Sequence, residues 1–88
     1  MNRITLPEAT LGVDIGTTGC RCVAYSAEAE VVAKAERLYP TTSPKPGWAE
    51  QDADFVLAQV EACIKDAVKS AKEACYRVTM MGFSAVNH

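Results

Sequence analysis

The chain has 88 residues, with nine Lys and Arg against eleven Asp and Glu and a net charge of -2, which leaves room for one small domain with a nearly neutral surface. A hydrophobic share of 49% against 23% charged residues excludes the signature of disorder, and the basic residues are scattered singly, which excludes an electrostatic nucleic-acid binder. An enzyme that must hold two substrates, a metal and a closing lid needs several times this length, so a catalytic signature here would belong to part of a larger unit.

In chain order, residues 1–10 form a polar leader. Leu11 to Ile15 (LGVDI) predicts a short apolar strand that carries an acid, and Gly16-Thr17-Thr18-Gly19 a tight turn. Cys20 to Tyr25 (CRCVAY) predicts a second strand, Ser26 to Glu30 a turn, and Val31 to Leu38 a third strand, together an antiparallel meander spanning 11–38. The segment 39–51 holds Pro40, Pro44, Pro46 and Gly47 and cannot continue a ladder, so it is a connecting loop. From Asp52 the period changes. Phe55, Val56, Val60, Cys63, Ile64, Ala67, Val68 and Ala71 recur at three- and four-residue spacing, the apolar stripe of a helix over 52–71. Asp52 suits its N-cap, Asp54 its first turn, and Lys69 and Lys72 its other end.

Arg77 to Phe83 (RVTMMGF) predicts a fourth strand over 77–83, returning beside the first. A helical crossover allows that pairing to be parallel, so the sheet is expected to be mixed, in β-β-β-α-β order. One helix covers one face of four strands. The other face must be wetter, or be covered by something outside these residues, which leaves self-association through the uncovered face or edge as an expectation.

Cys20, Cys22, Cys63 and Cys75 form no C-x-x-C pair, and the one histidine is His88, so zinc-ligand spacing is missing. Cys20 and Cys22 are alternate strand residues facing one side, as buried free thiols rather than a disulfide, which fits a reducing cytoplasm. No apolar run of about 18 residues is present, so neither a signal peptide nor a membrane span is expected.

The richest local signal is Asp14-Ile15-Gly16-Thr17-Thr18-Gly19-Cys20-Arg21. In a hairpin, the glycines let the backbone turn tightly, so that N–H groups around Gly16 to Gly19 and the hydroxyls of Thr17 and Thr18 point into one small volume suited to phosphate oxygens. Asp14 could hold Mg²⁺ directly or through water, and Arg21 could offset charge on a phosphoryl group. The segment lacks G-x-x-x-x-G-K-[ST] and is not G-x-G-x-x-G. The competing reading is a polar hairpin turn whose glycines serve only the backbone. An acid within an apolar strand favours the first, since it costs desolvation unless a metal, donors or solvent compensate it.

LGVDIGTTGCRCVAY resembles the first phosphate motif of the FGGY carbohydrate kinases, which include glycerol, xylulose and gluconate kinases within the actin, Hsp70 and sugar kinase superfamily. Pro46 to Asp52 (PGWAEQD) resembles the segment ahead of that family's first long helix, and GFSAVNH occupies the place of its strand followed by a substrate-contact element. The resemblance implies an α/β, ribonuclease H-like (actin-like ATPase) amino-terminal portion, an incomplete domain. It implies ATP and Mg²⁺ as cofactors, with Asp14 by the metal and Asp14, Gly16, Thr17, Thr18, Gly19 and Arg21 about the nucleotide phosphates.

Asn87 and His88 would match the sugar-contact pair. Val86 and Asn87 depart from the xylulose and gluconate branches, although WAEQD leans toward them and away from glycerol kinases. Trp48 reads as a loop aromatic plugging the base of the sheet, and Glu50 and Gln51 as loop or cap hydrogen-bonders. The implied reaction transfers the γ-phosphoryl of MgATP to a hydroxyl of a sugar or sugar acid, with a general base far downstream and nothing here to match it. The 88 residues alone are therefore expected to be inactive. The alternative is a small non-catalytic binding or assembly module.

Overall fold

The computed structural model describes residues 5–39 and 53–85. Three strands, β1 (Glu8–Ile15), β2 (Gly19–Tyr25) and β3 (Val31–Leu38), are followed by one helix, α1 (Ala53–Glu73), and a fourth strand, β4 (Arg77–Ala85). The sheet order is β3-β2-β1-β4, with β1–β2 and β2–β3 antiparallel and β1–β4 parallel. This is the mixed β-β-β-α-β sheet expected from the sequence.

The leader is shorter than 1–10, because residues 8–10 belong to β1. The reason is tertiary: β4 offers partners to Glu8 and Ala9 through Arg77 and Val78, and the Arg77 N–H donates to the Pro7 carbonyl at 2.9 Å. The alternation that LGVDI begins thus extends backward, with Ala9, Leu11 and Val13 buried in turn. At the other end β4 runs on to Ala85, where the sequence suggests Phe83. The loop segment and the Asp52 cap lie outside the described residues.

Period-2 burial on the strands meets period-3.6 burial on the helix. Val60, Cys63, Ala67 and Ala71 of α1 are buried against Ala9, Leu11, Val13, Cys20, Cys22, Ala24 and Ala33 of the sheet. Most of these side chains are alanine or cysteine, so helix and sheet meet through small groups. Phe55 and Val68 sit at the stripe's margins, each 36% exposed, and the Phe55 ring meets Tyr39 edge-on at 6.4 Å.

Helix α1 ends in a Schellman motif. The Tyr76 N–H donates to the Ala71 carbonyl at 2.8 Å, the Cys75 N–H to Lys72 at 2.9 Å, and Cys75 adopts a left-handed φ of 68°. Glycine is the usual occupant there because a Cβ is strained in that conformation. Cys75→Gly is expected to stabilise the chain by about 1 kcal/mol, read as a higher urea midpoint at unchanged slope. An unchanged or lower midpoint would contradict the cap.

The helix lies over β3 and β2 more than over β1 and β4. Met80, Met81 and Phe83 of β4 are consequently 66%, 49% and 63% exposed, and the strand forms an uncovered apolar edge. No helix among the described residues is long and apolar enough to cross a membrane.

Candidate phosphate and cation site

The hairpin between β1 and β2 closes with Ile15 opposite Cys20 and Asp14 opposite Arg21. Since Val13 and Cys22 face the helix, Asp14 and Arg21 share the opposite, open face of the sheet. The row continues on both sides: Glu36 of β3 pairs with Arg21, and Ser84 of β4 pairs with Asp14. Four strands thus bring Glu36, Arg21, Asp14 and Ser84 into one line. The Arg21 Nη2 lies 3.6 Å from Glu36 Oε2, both side chains being more than half exposed. Asp14 is exposed and forms no ion pair among the described residues.

Beside this row the sheet carries an open depression of about 330 Å³, bordered by Asp14, Arg21, Tyr25 and Ser84. Gly12 and Gly82, partners in the β1–β4 register, make its floor. A Cβ on Gly82 would meet nothing within 4 Å, and one on Gly12 would make ordinary contact with the Tyr25 ring at 3.7 Å and the Val23 carbonyl oxygen at 3.8 Å, so bare backbone is accessible from this side.

Two backbone bonds fix the turn. The Gly16 N–H donates to the Gly19 carbonyl at 2.8 Å, and the Tyr39 N–H donates to the Thr18 carbonyl at 2.8 Å, tying the turn to the end of β3. Of the N–H groups around Gly16 to Gly19, that of Gly16 is thus occupied within the turn. The Gly16 N–H closes the hairpin, and Gly16 contributes shape. Gly19 has a packing role, since a Cβ there would lie 2.5 Å from the Arg37 carbonyl oxygen and 3.1 Å from Leu38. Thr17 and Thr18 are exposed at the tip.

Beneath the row is a layer of sulfur. Cys20, Cys22 and Cys63 are buried free thiols, as expected for the first two, and the Cys63 thiol donates to the Ala35 carbonyl at 3.4 Å. Burial, and then contact with Cys22, pushes the Cys63 thiol up to about 11. Burial likewise raises Cys20 and Cys22. These thiols are inert core groups supporting β2 from below. The buried Tyr39 hydroxyl beside Cys20 has no hydrogen-bond partner among the described residues.

Among the described residues no group of three His, Cys, Asp or Glu is arranged to hold a metal. Mg²⁺, however, is commonly bound through one or two carboxylates together with substrate phosphates. A lone, accessible Asp14 carboxylate at the mouth of a glycine turn fits that donor set.

Residues 9–88 match the model of the FGGY family of carbohydrate kinases, N-terminal domain. The chain belongs to the FGGY family of carbohydrate kinases. Mouse glycerol kinase 5 is 39% identical over 74 residues, covering 84% of this chain and 14% of that protein. Glycerol kinase of Oceanobacillus iheyensis is 32% identical over 74 residues, again 84% of this chain and 15% of that protein. The crystal structure of xylulose kinase from Rhodospirillum rubrum superposes with a TM-score of 0.77 at 28% identity, over 92% of this chain and 17% of that one. Plasmodium falciparum glycerol kinase with ADP, at 20% identity, shares the fold with a TM-score of 0.76 over 96% of this chain and 17% of that one. The FGGY chain here spans about one seventh of the length of those two sequence relatives.

Of the residues singled out in the sequence, Asp14, Gly16, Thr17, Thr18, Gly19 and Arg21 come together at the β1–β2 hairpin. Asn87, His88 and Trp48 lie outside the described residues. Glu36 and Ser84 were missed. The place of Ser84 depends on register between strands far apart in sequence, and that of Glu36 on the exact register of the β2–β3 hairpin, although the alternation of Lys34 and Glu36 on β3 already marked a polar face.

Proposed function

We propose that this chain supplies the phosphate-binding end of an ATP-dependent carbohydrate kinase, which transfers the γ-phosphoryl of MgATP to a hydroxyl of a sugar or sugar acid. The observation that carries the reading is the in-register pairing of Asp14 and Arg21 across the mouth of the Gly16–Gly19 turn. Family membership supports it. Bound Mg²⁺ would neutralise phosphate charge. Asp14 would hold the cation directly or through water, Thr17, Thr18 and Gly19 would meet the phosphates, and Arg21 would offset charge on the transferred group. Phosphoryl transfer asks for positioning and electrostatic stabilisation above all, and these residues offer both.

Asn87 and His88 would contact the sugar. The loop sequence leans toward gluconate or xylulose, while the sequence relatives named above are glycerol kinases, so the proposal is made at the level of a polyol, sugar or sugar-acid hydroxyl. The general base and the adenosine site would come from elsewhere in a longer protein, and the 88 residues alone would show no useful turnover. A cytoplasmic setting belongs to the same proposal, supported by four free thiols. Self-association through the β4 edge does as well, supported by exposed Met80, Met81 and Phe83 and tested by sedimentation over a concentration range.

MgADP titrated into the chain tests the function. Weak binding is expected, lowered about tenfold or more by Arg21→Gln, because a charge-assisted contact to phosphate is lost. Equal binding by wild type and by Arg21→Gln would overturn this reading of the turn.

A further inference from the structure

Arg21 stands between two carboxylates, with Asp14 opposite it on β1 and Glu36 opposite it on β3. All three side chains are exposed on the open face, so the guanidinium is free to choose between them. Its Nη2 lies toward β3, 3.6 Å from Glu36 Oε2, and Asp14 on the other side is left without an ion pair among the described residues. The arginine of β3 itself, Arg37, does not compete for Glu36, because it alternates to the helix side and is taken up by Asp66 at 2.8 Å.

We propose that Glu36 is a positioning residue for the cation site: it draws the Arg21 guanidinium toward β3 and so keeps the Asp14 carboxylate open to a divalent cation. The proposal rests on the phosphate and cation reading of the hairpin. Without Glu36, the nearest carboxylate in register with Arg21 is Asp14 itself. An Arg21–Asp14 pair would then oppose cation binding, since the carboxylate must give up one cation to take the other. The balance among exposed groups is modest and depends on salt, because such pairs are screened and worth little individually.

The test is Mn²⁺ binding to the full 88-residue chain at low ionic strength, followed by paramagnetic broadening of the Asp14 and Ile15 amides. Asp14→Asn serves as the reference for specific binding. Glu36→Gln is expected to weaken Mn²⁺ binding about two- to fivefold, and Glu36→Asp to retain part of the wild-type affinity. Loss of a negative charge by itself would also weaken binding, so the deciding readout is the double variant. In an Arg21→Gln background, Glu36→Gln is expected to have little further effect, because there is no guanidinium left to redirect. If Glu36→Gln weakens Mn²⁺ binding equally with and without Arg21, Glu36 acts only through its charge and the positioning role is overturned. If wild type and Asp14→Asn are broadened alike, the cation site itself fails, and the positioning role fails with it. Circular dichroism of each variant establishes that the fold is intact.

Discussion

Gly19→Ala is expected to be strongly destabilising, whereas Gly16→Ala, three residues earlier in the same turn, is expected to be mild. Both glycines carry the same phosphate-binding expectation, yet their surroundings differ. A Cβ at Gly19 would approach the Arg37 carbonyl oxygen to 2.5 Å, with Leu38 Cα and Cδ2 each at 3.1 Å. The first obstacle is backbone, fixed in place by the β2–β3 ladder and by the Tyr39–Thr18 bond, so relief requires the strands to separate.

Overpacking of this kind typically costs about 1–3 kcal/mol, and a rigid backbone neighbour puts Gly19 at the upper end. In a domain of this size each kcal/mol lowers the melting temperature by about 4–8 °C. At Gly16 the nearest atom is the Gly19 carbonyl oxygen at 3.2 Å, inside the turn, and a shift of a few tenths of an ångström relieves it. Thermal melts of the two variants check the contrast. Equal melting temperatures would mean that the β2–β3 approach at Gly19 is looser than described.

Stability is expected to fall steeply above about pH 9. Thiols in the unfolded chain ionise near their ordinary value of 9.0, while Cys63 in the folded chain is pushed up to about 11, first by burial and then by Cys22. The folded state therefore holds the proton more tightly. Its contribution is fully present below pH 9 and is lost as the pH rises from 9 toward 11. Within that window the folding constant drops by up to about tenfold per pH unit for this one thiol. Cys20 and Cys22 are raised by the same burial and Tyr39 is raised as well, so they steepen the fall in the same direction. Urea midpoints between pH 7 and 10.5 measure this, with Cys63→Ala expected to show a shallower decline from a lower starting stability. A midpoint that stays level through pH 10 would contradict the buried sulfur layer.

Much of the site was legible in the sequence because one short turn determines it. Once Gly16 to Gly19 closes a hairpin, Asp14 must face Arg21, and alternation sends both away from Cys20 and Cys22. The helix stripe was legible for the same reason, since local periodicity reports the buried face directly. Glu36 was not. Its pairing with Arg21 depends on the five-residue Ser26–Glu30 connection, where Ser26 Oγ accepts from both the Glu28 and Glu30 N–H groups, and on a register shift between Ala24 and Tyr25 that counting residues cannot foresee. The backward extension of β1 was hidden likewise, because Glu8 and Ala9 become strand only through partners on β4, some seventy residues away. The helix stop at Cys75 carried no glycine to announce it, and the motif is visible only in its bonds.

Whether the β1–β2 hairpin binds nucleotide phosphates is decided by an amide-resolved titration of the chain with MgADP, observed by ¹⁵N-¹H NMR and repeated with Asp14→Asn. Shifts are expected to centre on Thr17, Thr18, Gly19 and Arg21, with smaller shifts at Glu36 as Arg21 turns to the phosphate and a weakened response in Asp14→Asn. Shifts confined to the β4 edge, or a hairpin that does not respond to MgADP at any concentration reached, would contradict phosphate binding there.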